Sequence, residues 1–211
     1  MTEAVESGRG LGGRAGRFLA TWSTVQVCLV LGGLAVLTRL PGLRADRAFN
    51  PDEATLATGA QALRRGGALY VDVIDRKPPL PFAAYAGVFG LTSGSDLRWV
   101  RLLAVVLVVA TAVVLADEAR RRWGIRAGWV AGLAVVAASA AMGPADAPAA
   151  NFELFALLPI AVAVVAAARG RSVVAGVALA VAVLCKQPAA VTAVPVAWAL
   201  WRARGWRGVG A

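Results

Sequence analysis

Long apolar runs rich in Ala, Val and Leu recur along this chain, separated by charged clusters. No other feature constrains the fold as much. A helix crosses the hydrocarbon core of a bilayer with about 20 apolar residues, and inside lipid only helices or closed barrels satisfy their backbone polar groups. The runs are continuous rather than alternating, so they predict helices. At 59% hydrophobic and a mean hydropathy of +0.67, the 211 residues are more apolar than an ordinary soluble domain. The expected fold class is all-α: a polytopic transmembrane bundle of about six helices, with amphipathic surface helices in its first outer loop.

The formal net charge of +10 is a second constraint, and its placement decides its meaning. Arg9, Arg14 and Arg17 precede the first apolar run. Arg120, Arg121, Arg122 and Arg126 separate the second from the third. Arg169 and Arg171 follow the fourth, and Arg202, Arg204 and Arg207 close the chain. Basic clusters between apolar runs mark cytoplasmic loops under the positive-inside rule. The charge is therefore read as topology, and nucleic acid is not an expected partner. Of the 12 Asp and Glu residues, eight (Asp46, Asp52, Glu53, Asp72, Asp75, Asp96, Asp146 and Glu153) fall in or beside segments assigned to the outside. Acidic residues carry little topological weight, so this skew points to a site.

The expected order is a Gly/Arg-rich cytoplasmic tail at 1–19, then helices over about 20–40, 98–118, 127–144 and 151–168. The run Val25 to Leu40 has no small-x-small cleavage signal, which favours an uncleaved first helix. Ser172 to Trp201 is too long for one perpendicular span and short for two. Lys186-Gln187-Pro188 interrupts it, giving either a hairpin of two short helices with Lys186 near the outer tip or one kinked helix. Trp198, Trp201 and Trp206 suit an interfacial belt. Cys28 and Cys185 lie in apolar runs and read as buried, unpaired small hydrophobes.

The outer loop at 41–97 holds the unusual chemistry. Asn50 is a candidate N-cap, Pro51 suits the first helical position, and Glu53 at N3 can complete a capping-box-like pair. Leu56, Ala60 and Leu63 then share one face, and Gly66-Gly67 stops the helix. Tyr70 to Ile74 reads as short and extended. Residues 80–91 form a second apolar helix, too short to span. Asp52 and Glu53 complement the positive end of a helix dipole, yet carboxylates at a membrane surface beside Arg76 and Lys77 could also serve a hydroxyl and a phosphate together. Only two of the 22 basic residues are lysine, Lys77 and Lys186, and both sit at charged turns. A compact ammonium suits a phosphate as a point charge, whereas an interfacial anchor is the plainer role. Asn151 and Glu153 open the fourth helix as cap and first-turn acid, or as part of the site. Gly8-x-Gly10 and Gly12-Gly13 follow no strand, so no nucleotide cofactor is expected. With no histidine, a divalent metal would need carboxylate ligands.

The runs Asn50-Pro51-Asp52-Glu53-Ala54, Arg64 to Asp72 and Asp75-Arg76-Lys77-Pro78-Pro79-Leu80 resemble the first outer loop of GT-C membrane glycosyltransferases. The similarity is to the branch with protein O-mannosyltransferases and lipid A aminoarabinose transferases. Ala150-Asn151-Phe152-Glu153 and Gly176 to Pro188 extend it, so that it covers about 20–200. The resemblance implies transfer of a sugar from a polyprenyl-phosphate carrier to a lipid, glycan or protein acceptor on the extracytoplasmic side. It implies Asp52 as general base and Glu53 beside the acceptor. Lys77 with Arg76 would meet the lipid phosphate, and Glu153 would be a second acid; Asn151 and Lys186 lie in the matching runs. Members of this group are longer, so 20–205 reads as their N-terminal portion, ending in a truncated stretch at 206–211. A non-catalytic membrane protein, such as a transporter subunit or lipid-phosphate-binding partner, is the alternative, as is an inactive fragment of the enzyme.

Overall fold

The computed structural model describes residues 23–204 apart from 46, 49, 74, 93, 143 and 144. The expected tail at 1–19, the first basic cluster, the start of the first helix, Asp46, Trp206, Arg207 and the stretch 206–211 lie outside the described residues. The described chain is all-α and without strands, as its continuous apolar runs require. The helices are α1 (Thr24–Arg44), α2 (Pro51–Arg64), α3 (Leu80–Leu91), α4 (Leu97–Trp123), α5 (Ile125–Ala140), α6 (Phe152–Ala168), α7 (Ser172–Cys185) and α8 (Ala193–Arg204). A 3-10 turn at Gln187–Thr192 joins the last two.

Two helices, α1 and α4, are long and apolar enough to cross a membrane by length and composition, while α3, α5, α6 and α7 are shorter apolar helices. Both long helices outrun the sequence reading. α1 continues through Pro41 to Arg44, since a proline near a helix end forfeits little more than the bond its missing N–H would have made. α4 runs five residues beyond the expected 118. Arg121 pairs with Asp117 and Arg122 with Glu118 at i,i+4, so the basic run is itself good helix, and Gly124 at φ 88 ends it.

One apolar cluster joins α1 to α6 through residues such as Leu31, Leu56, Phe82, Val100, Val108, Trp129 and Phe155. A second, alanine-rich cluster (Ala163, Ala166, Ala167, Ala175, Ala178) packs α7 and α8 on α6, where small residues let backbones approach closely. The outward faces stay apolar: Leu29, Val130 and Val177 are each more than 60% exposed. In water such a surface would be a liability; in lipid it is the solvent contact.

α2 and α3 pack together above this bundle. Leu56 and Ala60 are fully buried, and α2 meets α3 through Gly59, where an added Cβ would stand 2.5 Å from the Phe82 ring. Between them the chain is tightly turned rather than extended. Tyr70 has φ 71, and its N–H bonds back to the Val73 carbonyl at 2.9 Å. Ile74 lies outside the described residues. Cys185 is buried and free, whereas Cys28, expected to be buried, is only half-buried on α1. α7 and α8 form a hairpin. Lys186 stands at the start of α6, paired with Glu153, while Trp198 and Arg202 share a groove with Ala168 at its end.

Candidate functional site

The site grows from the start of α2. Asn50 is extended, and its Oδ1 accepts the Glu53 N–H at 2.8 Å, while Pro51 takes the first helical position. The Asn50 Nδ2 donates to Asp146 at 2.9 Å, fastening the cap to the loop before α6. This geometry sends Asp52 and Glu53 to opposite environments.

Glu53 turns inward and is fully buried. Arg101, 1% exposed on α4, donates to both carboxylate oxygens at 2.9 and 2.7 Å. The same guanidinium donates to the carbonyls of Gly42 and Ala45 at 2.7 Å and to that of Arg47. Glu53 also accepts the Ala150 N–H at 3.0 Å. One ion pair thus ties the end of α1, the start of α2, α4 and the segment before α6. Arg101 is a residue that the sequence reading passed over. Its signal was an arginine one turn inside an apolar helix, where an ionisable group is a functional candidate by default.

Asp52 turns outward and its Oδ1 accepts from the Lys77 ammonium at 2.5 Å, each side chain about one-third exposed. The Lys77 backbone is fixed by Asp75, which accepts its N–H at 3.1 Å, and by the Tyr70 hydroxyl, which donates to its carbonyl at 3.0 Å. The Lys77 Nζ also lies 4.7 Å from the centre of the Phe152 ring, a cation–π contact with the first residue of α6. Beside Phe152, Glu153 accepts from Lys186 across the end of α7. The other Glu153 oxygen, Oε2, is buried with no hydrogen-bond partner among the described residues. The adjoining Gln187 donates to the Arg76 carbonyl at 2.7 Å, so the α7–α8 turn closes onto the Arg76-Lys77 segment.

Five of the seven expected site residues therefore converge: Asp52, Arg76, Lys77, Glu153 and Lys186. Two ion pairs meet here, Lys77 with Asp52 and Lys186 with Glu153, and Arg76 joins them through its backbone carbonyl while its side chain is exposed. Glu53 is inside the bundle, holding Arg101. Asn151 is 2% exposed, and its Oδ1 accepts the Leu154 N–H at 3.3 Å as the α6 cap. Phe152 and Gln187, quoted in the sequence runs but not expected as site residues, join the site. Among the described residues no three Asp, Glu or Cys side chains converge as a metal-binding group.

Residues 76–209 match the family described as dolichyl-phosphate-mannose-protein mannosyltransferase. The chain belongs to that family. The match runs from Arg76 through Lys77, Phe152, Glu153, Lys186 and Gln187, and begins after Asp52 and Glu53. It agrees with the GT-C resemblance and makes this mannosyltransferase-family chain a membrane protein of glycosyltransferase type. No curated protein and no solved structure matches it.

Proposed function

We propose that this mannosyltransferase-family chain forms the site for sugar transfer from a polyprenyl-phosphate carrier to an acceptor hydroxyl of a lipid, glycan or protein. The chain crosses the membrane several times, and the site lies on the extracytoplasmic face. The observation carrying this reading is the Asp52–Lys77 pair, which unites two loop motifs 25 residues apart. A donor phosphate is a stronger partner for Lys77 than a partly exposed carboxylate, since solvent-accessible pairs are worth only up to about 1 kcal/mol. Its arrival draws Lys77 away and leaves Asp52 beside the acceptor. The acceptor oxygen attacks the anomeric carbon as Asp52 takes its proton. The bond from that carbon to the phosphate oxygen breaks with its electron pair on the phosphate, inverting the centre. Lys77, Arg76 and Lys186 offset the charge gathering there.

With a polyprenyl-phosphate sugar and the membrane-reconstituted protein, Asp52→Asn lowers turnover by about 10²- to 10⁴-fold while binding of polyprenyl phosphate persists. Wild-type turnover in that variant rules out Asp52 as the base. The pairing of both site carboxylates with lysines also suits a lipid-phosphate-binding protein that transfers nothing. Binding that needs Lys77, with no transfer by the wild type, selects that second reading.

A further inference from the structure

At the end of α6 away from the candidate site, a groove of about 320 Å³ opens between the last turns of α4, α6 and α8. Glu153 and Ala168 are 15 residues apart on one helix, which separates this groove from the site by about 22 Å. Ala168, Ala199 and Ala203 form its floor, and Arg122, Arg202 and Trp198 its polar lining, with no carboxylate among them. Arg202 stacks 5.4 Å over the Trp198 ring, and Trp198 and Trp201 are 58% and 41% exposed. Arg122 and Arg169 share the Glu118 carboxylate, and Asp117 pairs with Arg120, Arg121 and Arg169, so four guanidiniums meet two carboxylates and the cluster keeps a net positive charge beside Arg202.

Basic residues at helix C-termini complement the helix dipoles, which accounts for the arginines. It does not account for a groove whose lining is two guanidiniums, an exposed indole and a small-residue floor. Trp rings of this exposure sit at the level of lipid headgroups, and Arg matches a phosphate bidentately. We infer that the α4–α6–α8 groove binds the headgroup phosphate of an anionic phospholipid, with Arg202 as its principal contact and Trp198 holding that guanidinium in place. The occupant is a lipid rather than a soluble anion because the lining joins the guanidiniums to the exposed Trp198 indole and an alanine floor, with Trp201 exposed on the same helix. The site is independent of the sugar-transfer reading.

The test uses the whole chain reconstituted in phosphatidylcholine vesicles containing brominated phosphatidylglycerol or brominated phosphatidylcholine, reading quenching of tryptophan fluorescence. Brominated phosphatidylglycerol is expected to quench at lower mole fraction. Arg202→Gln should lower that preference about five-fold, the effect of one basic side chain at an anionic surface, and Arg202→Lys, which keeps the charge but loses the bidentate fork, should retain only part of it. Arg98→Gln, at the far end of α4, should leave it unchanged. Equal quenching by both lipids, or a preference untouched in Arg202→Gln, overturns the inference and leaves the groove to a protein partner. Full displacement of the brominated phosphatidylglycerol effect by inorganic phosphate overturns the lipid assignment.

Discussion

Arg101 and Glu53 show how one residue pair decides what its neighbours can do. A buried ion pair is weak support for stability in itself, but removing one member leaves a charge stranded in a low dielectric. Arg101→Leu is therefore expected to destabilise the folded protein by about 3–5 kcal/mol, and Glu53→Gln with Arg101→Met together should recover most of that loss. Denaturation of the detergent-solubilised variants checks this; a double variant as unstable as the single one shows that the pair is not the cause. The pair also separates Glu53 from its neighbour. Asp52 and Glu53 are indistinguishable as sequence, two acids in the first turn of one helix. Their division follows from helix geometry, which points adjacent side chains about 100° apart, one into the bundle and one to the surface. What reading the chain lacked was the partner. Arg101 is 48 residues away, and only the packing of α4 under the loop brings it to Glu53. The Asn50 cap was legible because its partner is three residues on.

At the level of elements, helix starts were more legible than helix ends. Asn50 and Asn151 announce starts through a local hydrogen bond, and α2 and α6 begin where those residues place them; Asp96 caps α4 in the same way, though the sequence reading did not name it as a cap. The ends of α1 and α4 were placed too early, at about 40 and 118, short of Pro41 and of the Arg120–Arg122 run. The first is tolerated within a final turn, and the second is held in the helix by ion pairs to Asp117 and Glu118 one turn earlier. Asp96 gives this level its prediction. Its Oδ1 accepts the Arg98 N–H at 2.9 Å, and both carboxylate oxygens receive the Arg98 side chain. The Arg98 side-chain hydrogen bonds hold the Asp96 carboxyl below its usual range. A depressed acid contributes stability that is full above its unfolded pKa and is lost as pH falls through the folded one. Thermal melts of the wild type should thus lose stability below the ordinary carboxylate range. Asp96→Asn, which can still cap α4, should shed part of that loss. An unchanged pH profile in the variant would remove Asp96 from the account.

For the whole molecule, the decisive quantity is sidedness. If the basic turns are cytoplasmic, Ser95 and Trp123, at the two ends of α4 and about 40 Å apart, face opposite compartments. In a background with Cys28 and Cys185 replaced, Ser95→Cys should react with a membrane-impermeant maleimide in intact cells. Trp123→Cys should react only after permeabilisation, and the reverse pattern would move the proposed site to the cytoplasm. The candidate site has a further consequence through its connectivity. Asp52, Lys77, Glu153 and Lys186 come from four separate stretches of chain, and the last to be made is the turn after α7, where Gln187 fastens onto the Arg76 carbonyl. During synthesis the early loop emerges with Asp52 and Lys77 already able to pair. The second ion pair and the contact over Arg76 must await the α7–α8 hairpin. Order of emergence thus acts as a timer: a nascent chain carries half of this cluster until its final described helices have been made and the turn between them has closed over Arg76.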